Sequence, residues 1–382
     1  MTTTAASAGQ GLASGPPHAP RQEDLATPAL ERFLARGRAQ VVDEHDRALW
    51  EALHGLTDGG KRFRPALLMH LHRALGGRDH HVASAVADAI ELLHTAFVIH
   101  DDVIDGDEVR RGRPNVGGTF AGRARATGAS PERSHHYGEA AGILAGDLAL
   151  AGAVREIALC GARRDVVVRL LDLLEEVLHR SAAGELADVR VSLTVEASLA
   201  DTLDIAEWKT AAYSFELPLQ AAAVLAEAPE DVVVALGAVG RCLGVAFQLQ
   251  DDLDGVFATA EQTGKDPLCD LREGKCTALI TVARSTRRWE ELAQYVGDPD
   301  LTADGARRAR ELLTACGARR AVEILVRDLR EAAVAGTAAL PGTAREPLLE
   351  MIRLLLPRTA PSTAAAPAED RTRARTRVRG AA

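Results

Sequence analysis

Apolar residues return at helical spacing along most of this chain. In 28–42, 65–75, 82–105, 138–160, 165–182, 203–226, 231–256 and 305–335 they recur every three or four positions, the interval that lines one face of a helix. Several of these stretches, 231–249 above all, are apolar nearly all round, and such a helix belongs inside a bundle. Strand-type alternation is hard to find. The pattern predicts an all-α fold, one large single-domain helical bundle over 23–357. Two polar stretches interrupt it. Gly112 to His136, rich in Gly, Pro and Arg, reads as a loop over one end of the bundle, and 260–276 reads as a second. Outside the domain, 1–22 and 358–382 offer too little apolar surface to offset the entropy of ordering and are expected to be disordered.

Composition sharpens this picture. The 382 residues suit one large domain or two ordinary ones, and 47% hydrophobic content is enough for a sizeable core. Only 3% is aromatic, so that core is built from Leu, Val, Ala and Ile. A formal net charge of -9 excludes a nucleic-acid binder as a class, so an anionic ligand must be held by a local basic cluster or through bridging metal ions. Cys160, Cys242, Cys269, Cys276 and Cys316 match no zinc spacing, and the first twenty residues lack the basic-then-apolar order of a secretory signal. Free thiols in a reducing cytoplasm are therefore expected. No apolar run looks long and clean enough for a membrane span, which predicts no stable membrane insertion. Arg371, Arg373, Arg375, Arg377 and Arg379 read as a solvated tail.

Charged residues gather at the ends of the apolar helices. Asp101, Asp102 and Asp105 close the helix that begins near Val82; Asp101 and Asp105 share a face, and Asp102 lies about 100° away. Carboxylates this close repel each other, and a helix C-terminus disfavours anions further. Hard divalent cations relieve both, and Mg2+ is typically held by one or two carboxylates plus phosphate oxygens. A second acidic group, Asp251, Asp252 and Asp254, ends another apolar helix, with Gln248 one turn earlier on the same side. Taken singly, either group reads equally well as a solvated helix end; the repetition argues for a site. Basic groups stand apart from them. Lys61, Arg62 and Arg64 precede a helix whose first position suits Pro65, and a helix N-terminus favours anions. Arg110 and Arg111 follow the first acidic group, Lys209 and Thr210 lie on a mid-chain helix, and Lys265 and Lys275 follow the second acidic group. Such an arrangement suits two diphosphates, one bound through metals and one directly. His100 reads as structural, and His70, His72, His80, His81, His135 and His136 as solvated or loop residues.

These stretches, in this order, resemble the trans-isoprenyl diphosphate synthases, which include farnesyl and geranylgeranyl diphosphate synthases. The resemblance rests on GGKRFRP, ELLHTAFVIHDDVID followed by RRGRP, AGDLAL, WKTAAY, FQLQDD and GKDPLCDLREGKCT, and spans roughly residues 25–356. It implies an isoprenoid-synthase bundle around a central substrate cavity, a homodimer, and Mg2+ with three ions per active site. It implies condensation of isopentenyl diphosphate with dimethylallyl, geranyl or farnesyl diphosphate to a longer trans-prenyl diphosphate. By the same resemblance, Asp101, Asp102 and Asp105 hold the allylic diphosphate through Mg2+, and Asp251 and Asp252 hold a further ion. Lys61, Arg64, His94 and Arg111 form the isopentenyl diphosphate pocket; Arg110, Lys209, Thr210, Gln248 and Lys265 contact the allylic substrate. There are two departures: the second motif reads DDLDG, with Gly255 at its third acidic position and Asp254 one place early, and the Gly- and Arg-rich stretch 117–137 matches nothing diagnostic.

The resemblance also frames the chemistry. The allylic carbon–oxygen bond must ionise, and metal-held carboxylates with Lys209 and Arg110 offset the charge on the leaving diphosphate. The departing diphosphate takes the final proton. Ala96 and Phe97, just before Asp101, are expected to face the growing chain; small Ala96 leaves space and Phe97 partly fills it. This favours a twenty-carbon product, geranylgeranyl diphosphate, over farnesyl or longer products. A class I terpene cyclase ionises the same substrates but carries an Asn/Asp–Ser/Thr–Glu motif not seen here. A non-catalytic partner subunit typically loses acidic motifs, and this chain keeps both.

Overall fold

The computed structural model describes residues 28–57, 62–193, 197–258 and 269–357. The expected disordered segments 1–22 and 358–382 lie outside them. The chain opens with α1 (Pro28–Ala39), α2 (Glu44–Thr57) and α3 (Phe63–Ala74), then α4 (His80–Asp105), which crosses the core. A two-residue hairpin, β1 (Val109–Arg110) and β2 (Arg113–Pro114), turns into α5 (Val116–Ala126) and α6 (Pro131–Ala158). The bundle continues with α7 (Arg164–Ser192), α8 (Leu199–Ile205), a π-helical segment (Ala206–Glu216) and α9 (Leu217–Leu225). Then come α10 (Glu230–Phe257), α11 (Cys269–Glu273), α12 (Ala278–Arg284), α13 (Trp289–Leu292), α14 (Ala303–Ala315), α15 (Ala318–Gly336) and α16 (Gly342–Leu355).

The all-α expectation holds. α4 begins where Asp79 accepts a hydrogen bond from Val82 N at 3.0 Å, and ends at Gly106 in the left-handed conformation, φ 73°. Ile90, Leu92, Leu93, Ala96 and Ile99 are at most 1% exposed, and each large aliphatic side chain buried this way contributes roughly 1.5–3 kcal/mol. Small residues on α6 let it approach α4 closely. A Cβ on Gly142 would fall 2.4 Å from Val103 Cγ2, and one on Gly146 would fall 2.2 Å from the His100 ring. α1 is tied on by buried charge: Asp88 of α4 accepts from Ala29 N and Leu30 N at 3.0 and 3.3 Å, and Glu156 of α6 pairs with Arg32 and Arg36.

Several local expectations need correction. Gly112–His136 is not a loop: it holds the second strand of the hairpin, α5 and the start of α6. Gly118 serves close packing, since a Cβ there would fall 2.0 Å from Glu108 O, and just past the stretch one on Gly138 would fall 2.5 Å from Gly117 O. Ser130 and Pro131 start α6 as N-cap and first residue. α11 likewise occupies part of 260–276, whose residues up to 268 lie outside the described ones. α3 starts at Phe63, so Pro65 is its third residue, and Arg62 before it has φ 43°. The segment 305–335 breaks at Gly317, φ 85°. α4 and α10 are, against expectation, long and apolar enough to cross a membrane, but 72% and 61% of those apolar stretches are buried inside the bundle. His72 is fully buried, under the close-packed Gly77, rather than solvated.

Candidate active site

The first acidic group sits where α4 runs out of core. Asp107 N donates to Asp102 O at 2.8 Å as the chain turns, and the hairpin carries Arg110 back over the carboxylates. Arg110 Nε donates to Asp102 Oδ1 at 2.7 Å and its Nη2 to Asp101 Oδ2 at 3.3 Å. Burial raises the Asp102 pKa, repulsion from Asp101 and Asp107 adds to it, and Arg110 opposes it. Burial and then Asp101 raise Asp105 in the same way.

The π-helical segment binds both acidic helix ends together. Wider turns re-aim successive side chains, which is why such segments recur at functional sites. Lys209 Nζ lies 3.0 Å from Asp101 Oδ1, 3.1 Å from Glu185 Oε1 and 2.7 Å from Asp188 Oδ2. Burial works against that ammonium, but Asp101, Asp188 and Glu185 outweigh it and hold its pKa above the ordinary lysine value. Next to it, Thr210 Oγ1 donates to Gln248 Oε1 at 3.0 Å, and Gln248 Nε2 donates to Asp252 Oδ1 at 2.9 Å. Burial, with repulsion from Asp270 and Asp251, pushes the Asp252 carboxyl up to about 7, against the Gln248 hydrogen bond. The segment approaches α7 over Gly184, where a Cβ would fall 2.5 Å from Lys209 N. Its far end is held by Arg180, which grips Glu216 through two hydrogen bonds of 3.0 and 2.9 Å.

A basic and aromatic cluster lies on the other side of the same segment. Arg64, 9% exposed, donates to Ser214 Oγ from Nε and Nη2 at 3.0 and 2.9 Å. Its guanidinium stands 4.4 Å from the Phe63 ring centre and 5.2 Å from that of Tyr213. His94 Nδ1 is 3.3 Å from Tyr213 OH. Burial, then Arg64, Arg110 and Arg111, push the His94 pKa well down, so its ring is neutral near pH 7. Arg111, at φ 54° in the hairpin turn, is exposed. Lys61 and Lys265 lie outside the described residues.

The two chain-length candidates part company. Phe97 packs edge-on against Tyr213, ring centres 4.9 Å apart, on the face that carries His94 and Asp101. Ala96 is fully buried about 140° round the helix from Asp101, five residues on, and shares its stripe with Ile99 and Val103. Val103 and Ile99 of that stripe pack on Gly142 of α6.

Glu185, Asp188, Tyr213 and Ser214 were not expected at the site. Their sequence signals are the three-residue spacing of Glu185 and Asp188 on one helix face and the place of Tyr213 at the end of the WKTAAY stretch, four residues after Lys209. Lys275 also belongs here. Its ammonium pairs with Glu273 at 3.2 Å; burial opposes its charge, but Glu273, Asp105 and Asp270 hold its pKa above the ordinary lysine value.

The donor set suits a hard cation. All the converging ligand atoms are carboxylate oxygens, and Asp102 Oδ2 is buried with no hydrogen-bond partner among the described residues. No three acidic, imidazole or thiol groups among the described residues form a ready-made cage. That fits Mg2+, which takes few protein ligands and completes its shell with water and phosphate oxygens.

Comparison with known proteins gives a consistent picture. The polyprenyl synthetase family profile matches residues 46–312. The chain is 33% identical to the geranylfarnesyl diphosphate synthase of Aeropyrum pernix over 70% of its own length and 80% of that protein. It is 33% identical to the (2E,6E)-farnesyl diphosphate synthase of Mycobacterium bovis over 72% of each chain. Its fold matches the crystal structure of a geranylgeranyl pyrophosphate synthase from Corynebacterium glutamicum complexed with isoprenyl diphosphate and magnesium. There the TM-score is 0.79 at 26% identity, covering 87% of this chain and 97% of that one.

Proposed function

The chain belongs to the polyprenyl synthetase family and is a trans-prenyltransferase of isoprenoid biosynthesis, and from that premise we propose that it condenses isopentenyl diphosphate with allylic diphosphates to geranylgeranyl diphosphate in an Mg2+-dependent reaction. One observation carries the reading: adjacent residues of one π-helical segment, Lys209 and Thr210, reach the acidic ends of α4 and α10, while Ser214 of the same segment holds Arg64 in a separate basic pocket. An allylic diphosphate belongs between the acidic ends, and isopentenyl diphosphate belongs in the basic pocket.

Asp101, Asp102, Asp105, Asp251 and Asp252 would hold Mg2+, three ions by family likeness, which when bound supplies Lewis-acid neutralisation of the leaving diphosphate. Lys209 and Arg110 donate hydrogen bonds to that diphosphate as its charge develops. Thr210 and Gln248 orient it from the α10 side. Arg64 and Arg111, with Lys61, hold the isopentenyl diphosphate so that its double bond faces the allylic carbon. His94, neutral, contributes a single N–H donor there. The new carbon–carbon bond leaves a cation on the former isopentenyl unit; a proton lost from it to the departed diphosphate restores a double bond. The aliphatic bundle interior keeps water from trapping the cation.

Phe97 is the chain-length residue on the acidic face; its partial filling of that face supports a twenty-carbon product, as does the naming of the structural relative. The working unit is a cytoplasmic homodimer. Its interface is the outer side of α6, where Ile143, Leu144 and Val154 are exposed apolar residues, with Leu159 just past its end.

The test is direct. Purified protein with Mg2+, isopentenyl diphosphate and dimethylallyl, geranyl or farnesyl diphosphate should yield geranylgeranyl diphosphate as the main chromatographic product. EDTA should stop the reaction and excess Mg2+ restore it. Cyclic products, or none with any allylic partner, would sink the reading.

A further inference from the structure

Glu207 and Glu216 stand near the two ends of the π-helical segment, nine residues apart. In an α-helix, at about 100° per residue, nine residues put two side chains on opposite faces. An i→i+5 ladder turns by roughly 80° per residue, so nine residues make about two full turns and return to the same face. The side chains show that return. Arg180 Nη2 donates to Glu207 Oε1 at 3.1 Å and to Glu216 Oε1 at 2.9 Å, so one guanidinium spans the segment end to end. Its Nη1 donates to Glu216 Oε2 at 3.0 Å. A second arginine closes the set from the other neighbouring helix. Arg241 of α10 lies 3.4 Å from Glu207 Oε1 through Nε and 3.4 Å from Glu216 Oε2 through Nη2.

The backbone is fitted to the same register. Gly184 lies one turn beyond Arg180 on α7, and a Cβ there would fall 2.5 Å from Lys209 N. On α10, Cβ atoms on Gly240 and Gly244 would fall 2.8 Å from Glu216 Cα and 2.6 Å from Ala211 Cα. These obstacles are backbone atoms, which cannot swing aside as a long side chain does. The segment is pressed between α7 and α10. Glu216 is 3% exposed, so its charge needs the arginines, and they bridge it to Glu207 only while the two carboxylates share a face.

We propose that Arg180 and Arg241, by bridging Glu207 to Glu216, hold the segment in its π-helical register and thereby aim Lys209 at the leaving diphosphate. All four are positioning residues. Lys209 and Thr210 lie between the bridged carboxylates and reach Asp101 and Gln248 from there. Relaxation to an α-helical turn would rotate successive side chains by roughly 20° per residue and carry the Lys209 ammonium off its line. This role rests on the prenyl-transfer reading above and adds to it four residues outside the acidic helix ends and the basic pocket.

The experiment is a double-mutant cycle with Lys209 in the full-length protein. Single-turnover transfer is measured with Mg2+, isopentenyl diphosphate and the allylic diphosphate that wild type uses fastest. Arg180→Met alone strands Glu216, so it is combined with Glu216→Gln, which removes the pair together; melting curves establish that the variant is folded. The paired substitution should slow transfer roughly a hundredfold, the cost of misplacing a group that meets the transition state. In a Lys209→Ala background it should change the rate by less than about twofold, because the donor it aims is gone. Deuterium exchange at the amides of 206–216 should rise in the paired variant while that of α4 stays unchanged. A role in stability alone would lower the melting temperature and leave the rate per folded enzyme at its wild-type value. That wild-type rate, a loss of equal size in both backgrounds, or unchanged exchange over 206–216 overturns the proposal. Lys209→Ala separates the two readings. If it slows transfer while the paired substitution does not, only the present proposal fails. If wild-type protein forms no prenyl product with any allylic diphosphate, the prenyl-transfer reading fails and this proposal with it.

Discussion

Asp101 and Asp102 are neighbours in unlike surroundings. Asp102 is 4% exposed and bound to Arg110; the Asp101 side chain is 26% exposed and leans on Lys209. Asp101→Asn should therefore leave the melting temperature nearly unchanged while turnover falls at least about a hundredfold, the scale of losing one electrostatic contact to a transition state. Single-turnover rates with farnesyl diphosphate measure it, and a rate like wild type removes Asp101 from the ligands. Arg64 carries a double duty, since it holds Ser214 as well as facing the basic pocket. Arg64→Ala should raise the KM for isopentenyl diphosphate well above any change for the allylic substrate. It should also lower stability by roughly 1–3 kcal/mol, because a buried hydrogen-bond partner is lost. Equal rises in both KM values would argue against two separate diphosphate sites.

At the scale of elements, α4 decides what each of its residues can do. Phe97 faces Tyr213 and the acidic side, whereas Ala96 is fully buried in the core. Phe97→Ala should lengthen the product, read as the product distribution at matched turnover. Ala96→Phe should mainly destabilise, by about 1–3 kcal/mol for overpacking, with little change in product length. A clear shortening by Ala96→Phe in a stably folded enzyme would return Ala96 to the channel. Close approach also governs the π-helical segment, which lies on Gly184.

At the scale of the whole molecule, stability and assembly carry their own tests. Asp88 ties α1 to α4, and burial raises its pKa from 3.8 to about 7, against the hydrogen bonds from Leu30 and Ala29. A raised carboxyl pKa means that the fold prefers the protonated form. Its contribution is thus fully present below about pH 4 and is lost as pH rises through about 7. Asp88→Asn keeps an acceptor for both amides and removes the titration. The stability difference between variant and wild type should swing toward the variant by a few kcal/mol, on the order of 1.4 kcal/mol per pKa unit, between pH 4 and 8. Denaturant melts at both ends measure it, and a pH-independent difference would show that Asp88 titrates normally. For assembly, Leu144→Glu on the exposed face of α6 should turn a dimer into a monomer by light scattering; a dimer that persists would place the interface elsewhere.

Helical periodicity and charge spacing were enough to determine the all-α class, most of the long helices and the two acidic helix ends, because these depend on neighbours in sequence. The family resemblance supplied the chemistry. Only the tertiary structure decided the rest. Gly118 looks like a loop former in sequence, yet it permits close packing of α5 on the turn after α4. Glu185 and Asp188 join the site because α7 passes Lys209. Glu207 and Glu216 share one guanidinium only when α7 packs along the π-helical segment. A periodic pattern says which face of a helix is buried; which partner lies against that face is a contact between distant residues, and it exists only once the chain has packed.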